Sequence, residues 1–94
     1  MKLGLEPDPK GAYGVIHGQY RGEILVYIRP TRDEKSYEFL STPKMVSRLV
    51  PIESFENGIK ESIIEFIEVL PDDVYNVCLE QFNTNPVVYG KSPH

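Results

Sequence analysis

Glu23-Ile24-Leu25-Val26-Tyr27-Ile28-Arg29 is the stretch that decides the fold. Five consecutive apolar residues, rich in β-branched and aromatic side chains, lie between the glycine-bearing turn Gly18 to Gly22 and the breaker Pro30-Thr31. That pattern predicts a short strand buried on both faces. With a side-chain period of two, Ile24, Val26 and Ile28 face one way and Leu25 and Tyr27 the other.

Working outward, Ala12 to His17 reads as a first strand, with Tyr13 and Val15 on one face and Gly14 marking a bulge or bend. Gly18 and Gly22 tolerate positive φ, so the expected pairing is an antiparallel hairpin between these two strands. Ser36 to Leu40 gives a third strand, with Tyr37 and Phe39 opposed to Glu38. Met45 to Val50 gives a fourth, ended by Pro51, which cannot donate to a ladder.

Past Pro51 the period changes. Ile52 and Phe55 are expected to cover one end of the sheet, and Asn57-Gly58 reads as a turn or helix start. Ile59, Ile63, Phe66, Ile67 and Leu70 recur at the spacing of an amphipathic helix over 59–70, with Glu61, Glu65 and Glu68 opposite. Pro71 ends it, and Asp72-Asp73 caps a second helix over 72–82, whose inner stripe reads Val74, Val77, Cys78 and Phe82. Val87-Val88-Tyr89 is allowed as a short edge strand. Residues 1–11 and 90–94 read as flexible ends.

The 94 residues support one domain, 1–94, because a second core would be too small to hold itself together. The composition, 40% hydrophobic and 26% charged, is that of a folded chain rather than a disordered one. The predicted class is α+β: a small antiparallel β-meander or SH3-like barrel over about residues 12–51, followed by the two helices. The layout of strands, short connections and the Val-Pro-Ile-Glu-Ser-Phe segment resembles a small SH3-like barrel over residues 12–56. The resemblance rests on layout alone and carries no family signature residues or function. The competing arrangement is an open four-stranded meander with both helices on one face.

The net charge of −4 conceals an uneven distribution. Residues 1–50 carry eight Lys/Arg against six acids, and residues 51–94 two against eight. An acidic second half repels nucleic acid and anionic membranes unless the basic half faces them alone, and it permits pairing between copies of the chain. One cysteine, Cys78, allows no disulfide within the chain and no multi-thiolate zinc site, so a cytoplasmic setting is expected. No apolar run approaches the roughly 20 residues of a membrane span, and the first residues do not read as a signal-peptide core.

Catalytic chemistry finds little support. His17 sits at a strand end with no nucleophile motif beside it, and Cys78 lies on the inner stripe of a helix, where a free thiol behaves as a small hydrophobe. His17, Cys78 and His94 are isolated, and no carboxylate spacing resembles a calcium loop. The glycines Gly11, Gly14, Gly18 and Gly22 spread over a hairpin and make no phosphate loop. No catalytic residue, metal site or cofactor is therefore expected.

Tyr13, Tyr20, Tyr27, Tyr37 and Phe39, interleaved with Arg21, Arg29, Arg32, Lys35 and Arg48, allow two readings. They are either a stacking platform with phosphate contacts or core aromatics with solvated cations, and the second is preferred because a sheet of this size consumes about that many aromatics. Tyr20 is the exception, because a tyrosine at a hairpin tip between two glycines is hard to bury. The candidate partner-binding residues are Tyr20, Arg21, Arg29, Arg32 and Lys35, with the acidic helix faces as a second docking surface. The expected function is a non-catalytic protein-binding or regulatory module, with a homodimer among the options. A small nucleic-acid-binding barrel comes second and a small enzyme third.

Overall fold

A computed structural model describes residues 6–42 and 44–84. Strands β1 (Gly11–Val15), β2 (Ile24–Pro30), β3 (Ser36–Thr42) and β4 (Val46–Pro51) form the meander. Helix α1 (Ile52–Lys60), strand β5 (Ile64–Val69) and helix α2 (Asp72–Thr84) follow. The sheet is five-stranded, antiparallel throughout, in the order β4-β3-β2-β1-β5. It is open, since β4 and β5 lie at opposite edges.

The predicted faces of β2 are the ones observed. Leu25 and Tyr27 join Tyr13, Val15, Tyr37, Phe39, Phe55 and Ile64 in one cluster, under α1. Val26 and Ile28 join Leu40 and Phe82 in another, under α2. The two helices thus cover opposite faces of the sheet, not one. The organising strand is sandwiched between them, which is why its apolar residues run without a polar break. The α1-side core is aromatic: Tyr13, Tyr37 and Phe39 all meet Phe55, whose ring stacks on Phe39 at 5.7 Å and meets the two tyrosines edge-on. Phe55 covers the sheet as its position after Pro51 suggested.

The helix expected over 59–70 is corrected. Its span holds the end of α1, a turn and the strand β5. Ser62, at φ 60°, takes the left-handed position after the helix. Ser62 N–H donates to the Ile59 carbonyl at 3.2 Å and Ile63 N–H to the Gly58 carbonyl at 2.8 Å, the paired bonds of a Schellman ending. No glycine marks the stop, so the 3.6-residue spacing of the isoleucines ran on unopposed. The β-branched content of Ile63, Ile64, Ile67 and Val69 is what suits the segment to pairing along β1.

Two further corrections concern α2 and the bulges. Of the expected inner stripe Cys78 and Phe82 do pack on the sheet, but Val74 and Val77 are exposed and Tyr75 and Leu79 take their place. The irregularity anticipated at Gly14 falls next to it, where the β1–β5 register shifts between Ala12 and Tyr13. A side chain at Gly14 would press on Ile67 at 3.3 Å, so the glycine makes room for the bulged strand opposite. The segment before β1 turns back on the sheet, with Asp8 N–H donating to the Tyr13 hydroxyl at 2.7 Å. The edge strand expected over 87–89, the end 90–94 expected to be flexible, and residues 1–5 of the start 1–11 read in the same way fall outside the described residues.

Candidate binding site

The β1–β2 tip is built on two glycines. Gly18 and Gly22 have φ of 96° and 95°, with open space where a side chain would stand, so backbone conformation rather than crowding demands them. Arg21 N–H donates to the Gly18 carbonyl and Glu23 N–H to the Tyr20 carbonyl, which folds the tip into two successive turns. Tyr20 is thereby held out at the end of the hairpin, 44% exposed.

Below the tip lies an ion-paired cluster. Glu23 is buried, and Arg48 of β4 reaches it from two strands away with Nε to Oε1 at 3.1 Å and Nη2 to Oε2 at 2.7 Å. Ser41 Oγ donates to Oε1 at 2.6 Å, and Lys44 Nζ stands 3.8 Å from Oε2. Arg48 donation, aided by Ser41 and Lys44, outweighs desolvation and holds the Glu23 carboxyl below the usual range. The same pairing raises the Arg48 guanidinium. The outer face of that guanidinium lies 4.3 Å from the centre of the Tyr20 ring, so the pair at once neutralises a buried charge and fixes an exposed aromatic.

Beside the cluster opens a cleft of about 650 Å³ between the tip, the end of β4 and α1. Its apolar lining comes from Val15, Leu25, Val50, Ile63 and Ile64, and its rim carries His17, Tyr20, Arg48 and Asn57. Gly58 in the wall is required by closeness: a Cβ there would stand 2.6 Å from Ile64 Cδ1. Through this close approach α1 and β5 line the cleft side by side.

Of the candidates named from the sequence, Tyr20 lines this cleft, and Arg21 is exposed beside it on the tip. Arg29, Arg32 and Lys35 lie at the other end of β2, so the structure separates the five into two groups. Arg29 and Arg32 line a second hollow, of about 790 Å³, and Lys35 is exposed next to it. The bulge between Tyr27 and Arg29 turns Arg29 to the α2 side, where its guanidinium covers the Phe82 ring at 5.2 Å. Its Nε stands 3.0 Å from Glu38 Oε1, at an angle that makes an ion pair without a hydrogen bond. Thr31 and Asp33 stiffen the loop by mutual hydrogen bonding and by holding the Lys35 and Ser36 amides.

Sequence reasoning overlooked Glu23 and Arg48 as partners. A carboxylate next to a wholly apolar run was the available signal, because such a residue is half-buried by its neighbours and must find a cation. Of the five aromatics weighed as a platform, Tyr13, Tyr37 and Phe39 are buried and Tyr27 packs against them, which leaves Tyr20 displayed. Cys78 packs in the α2 cluster, and burial raises its thiol above the ordinary value. Among the described residues no cluster of His, Cys, Asp and Glu is placed to hold a metal, and no helix is long and apolar enough to cross a membrane. No family model, curated protein or solved structure matches the chain.

Proposed function

We propose that this chain is a non-catalytic protein-binding module, and that the cleft beside Tyr20 receives a segment of another protein. One observation carries the reading: an exposed aromatic ring is pinned by a paired arginine on the rim of a cleft with an apolar floor. Rigid aromatic anchors beside a concave apolar surface supply contact area at low entropic cost, which is how binding sites concentrate their energy. On this reading the sheet is an SH3-like barrel left open, with α1 on its aromatic face. The acidic balance of the chain also favours a protein over nucleic acid as the partner.

Selection of displayed peptides on the full chain tests this. Peptides that bind are expected to lose about tenfold or more in affinity on Tyr20→Ala, as for an anchor worth upward of ~1.4 kcal/mol. A labelled oligonucleotide titrated over a salt series is the counter-test. Failure to select peptides, together with oligonucleotide binding that falls steeply with salt, would replace this reading with the nucleic-acid one.

A further inference from the structure

Among the described residues β5 pairs only with β1, so its outer edge presents unpaired backbone N–H and C=O groups. The six-residue strand is also apolar at that edge: Phe66 and Ile67 are each 48% exposed and Val69 54%. A strand of this kind is a ready template for another strand to add. Its acids say which one. In a regular strand Glu65 and Glu68, three residues apart, would point to opposite faces. The register shift opposite Ala12 and Tyr13 cancels that difference, so Glu65 pairs with Gly14 and Glu68 with Ala12, both on the α2 side of the sheet. Two exposed carboxylates therefore stand on one face of the edge, while Phe66, opposite Tyr13, stands on the other.

We infer that the β5 edge takes an extended, basic segment of a partner protein by strand addition. Lysines or arginines at alternate positions meet Glu65 and Glu68, and the apolar residues between them lie alongside Phe66. Cross-strand pairs of opposite charge stabilise a ladder, and like charges weaken it. A second copy fits worse, since β5 against β5 would collect four carboxylates along one seam. This edge is a different surface from the cleft, and the inference does not depend on the cleft being occupied.

The test uses the full chain with a labelled Lys-Val alternating heptapeptide and a Glu-Val heptapeptide as control. The basic peptide is expected to bind and to slow exchange of alternate β5 amides, those turned away from β1. Its affinity should fall at least about tenfold when ionic strength rises from about 0.01 M to about 1 M, as the screening length contracts. Glu65→Lys with Glu68→Lys should bring a similar loss while the β1–β2 amides keep their protection, which shows the variant is folded. Equal binding of both peptides, or no new protection on β5, overturns the inference. So does protection of those amides in the free chain, which would mean that its own residues cover the edge. Self-association that strengthens with salt would assign the edge to a second copy and equally overturn it.

Discussion

Arg48 grips Glu23 with two nitrogens on two oxygens, at 3.1 and 2.7 Å, across the β2–β3–β4 half of the sheet. A carboxylate at 7% exposure cannot stay charged unpaired without large cost, so the contact is a condition of the local fold as much as a source of stability. Arg48→Met is expected to cost about 2–3 kcal/mol in urea unfolding, below the range for fully buried pairs because Lys44 and Ser41 remain. Pairing it with Glu23→Leu should cost less than the sum of the two single changes. Strict additivity would show that the two side chains do not act together.

Acid should unfold the protein through the same pair. The folded-state pKa of Glu23 is held below its ordinary 4.5, so its contribution is present above that value and is lost as pH falls through the folded pKa. Stability measured downward from pH 6 should therefore decline from about 4.5, and Glu23→Gln should flatten that decline. An unchanged acid profile in the variant would place the acid sensitivity elsewhere.

Alkali tests the aromatic core. Burial, with smaller contributions from Tyr37 and nearby acids, pushes Tyr27 up to about 12 from 10.0. The unfolded chain then loses its phenolic proton first, and stability should fall as pH rises between those two values. Tyr13, also raised chiefly by burial, acts in the same direction. Absorbance titration should show late-ionising tyrosines in the folded chain, and Tyr27→Phe should remove one of them.

Gly58→Ala should destabilise despite alanine's better helix propensity. The added methyl would meet Ile64 Cδ1 at 2.6 Å and Cγ1 at 2.9 Å, and Ile64 is itself buried. Overpacking of this kind costs about 1–3 kcal/mol. Ile64→Val removes the nearer atom and should recover part of the loss in the double variant. Thermal unfolding of the three proteins decides it, and a stabilised single variant would contradict the close approach of α1 to β5.

Ser62→Gly should stabilise by about 1 kcal/mol, since Ser62 takes φ 60° where glycine meets no Cβ penalty. Ser62→Val at the same place should destabilise. If both behave alike in denaturant titration, the helix does not end as described.

How much of this was legible from residue order depends on the range over which each signal acts. The β2 faces could be read because strand alternation is local: Leu25 and Tyr27 against Val26 and Ile28 needs no knowledge of what covers either side. Tyr20 could be read as displayed because two glycines set its turn within five residues. The 59–70 segment misled because its isoleucines fit a helical period and a strand equally well. What ends α1 is a serine in a conformation that serine seldom takes.

The first four strands, the hairpin tip, the second helix and the uneven charge were written in residue order, since each follows from backbone preference or side-chain period within a short window. That 64–69 is a strand, that the helices cover opposite faces, and that Glu23, Ser41 and Arg48 meet follows from long-range packing. Pairing of β5 with β1 joins residues about fifty positions apart, and that pairing offers β-branched side chains a ladder that outweighs a helical spacing. The Glu23–Arg48 contact likewise exists because three strands lie side by side, and no local pattern announces which cation a buried carboxylate will find.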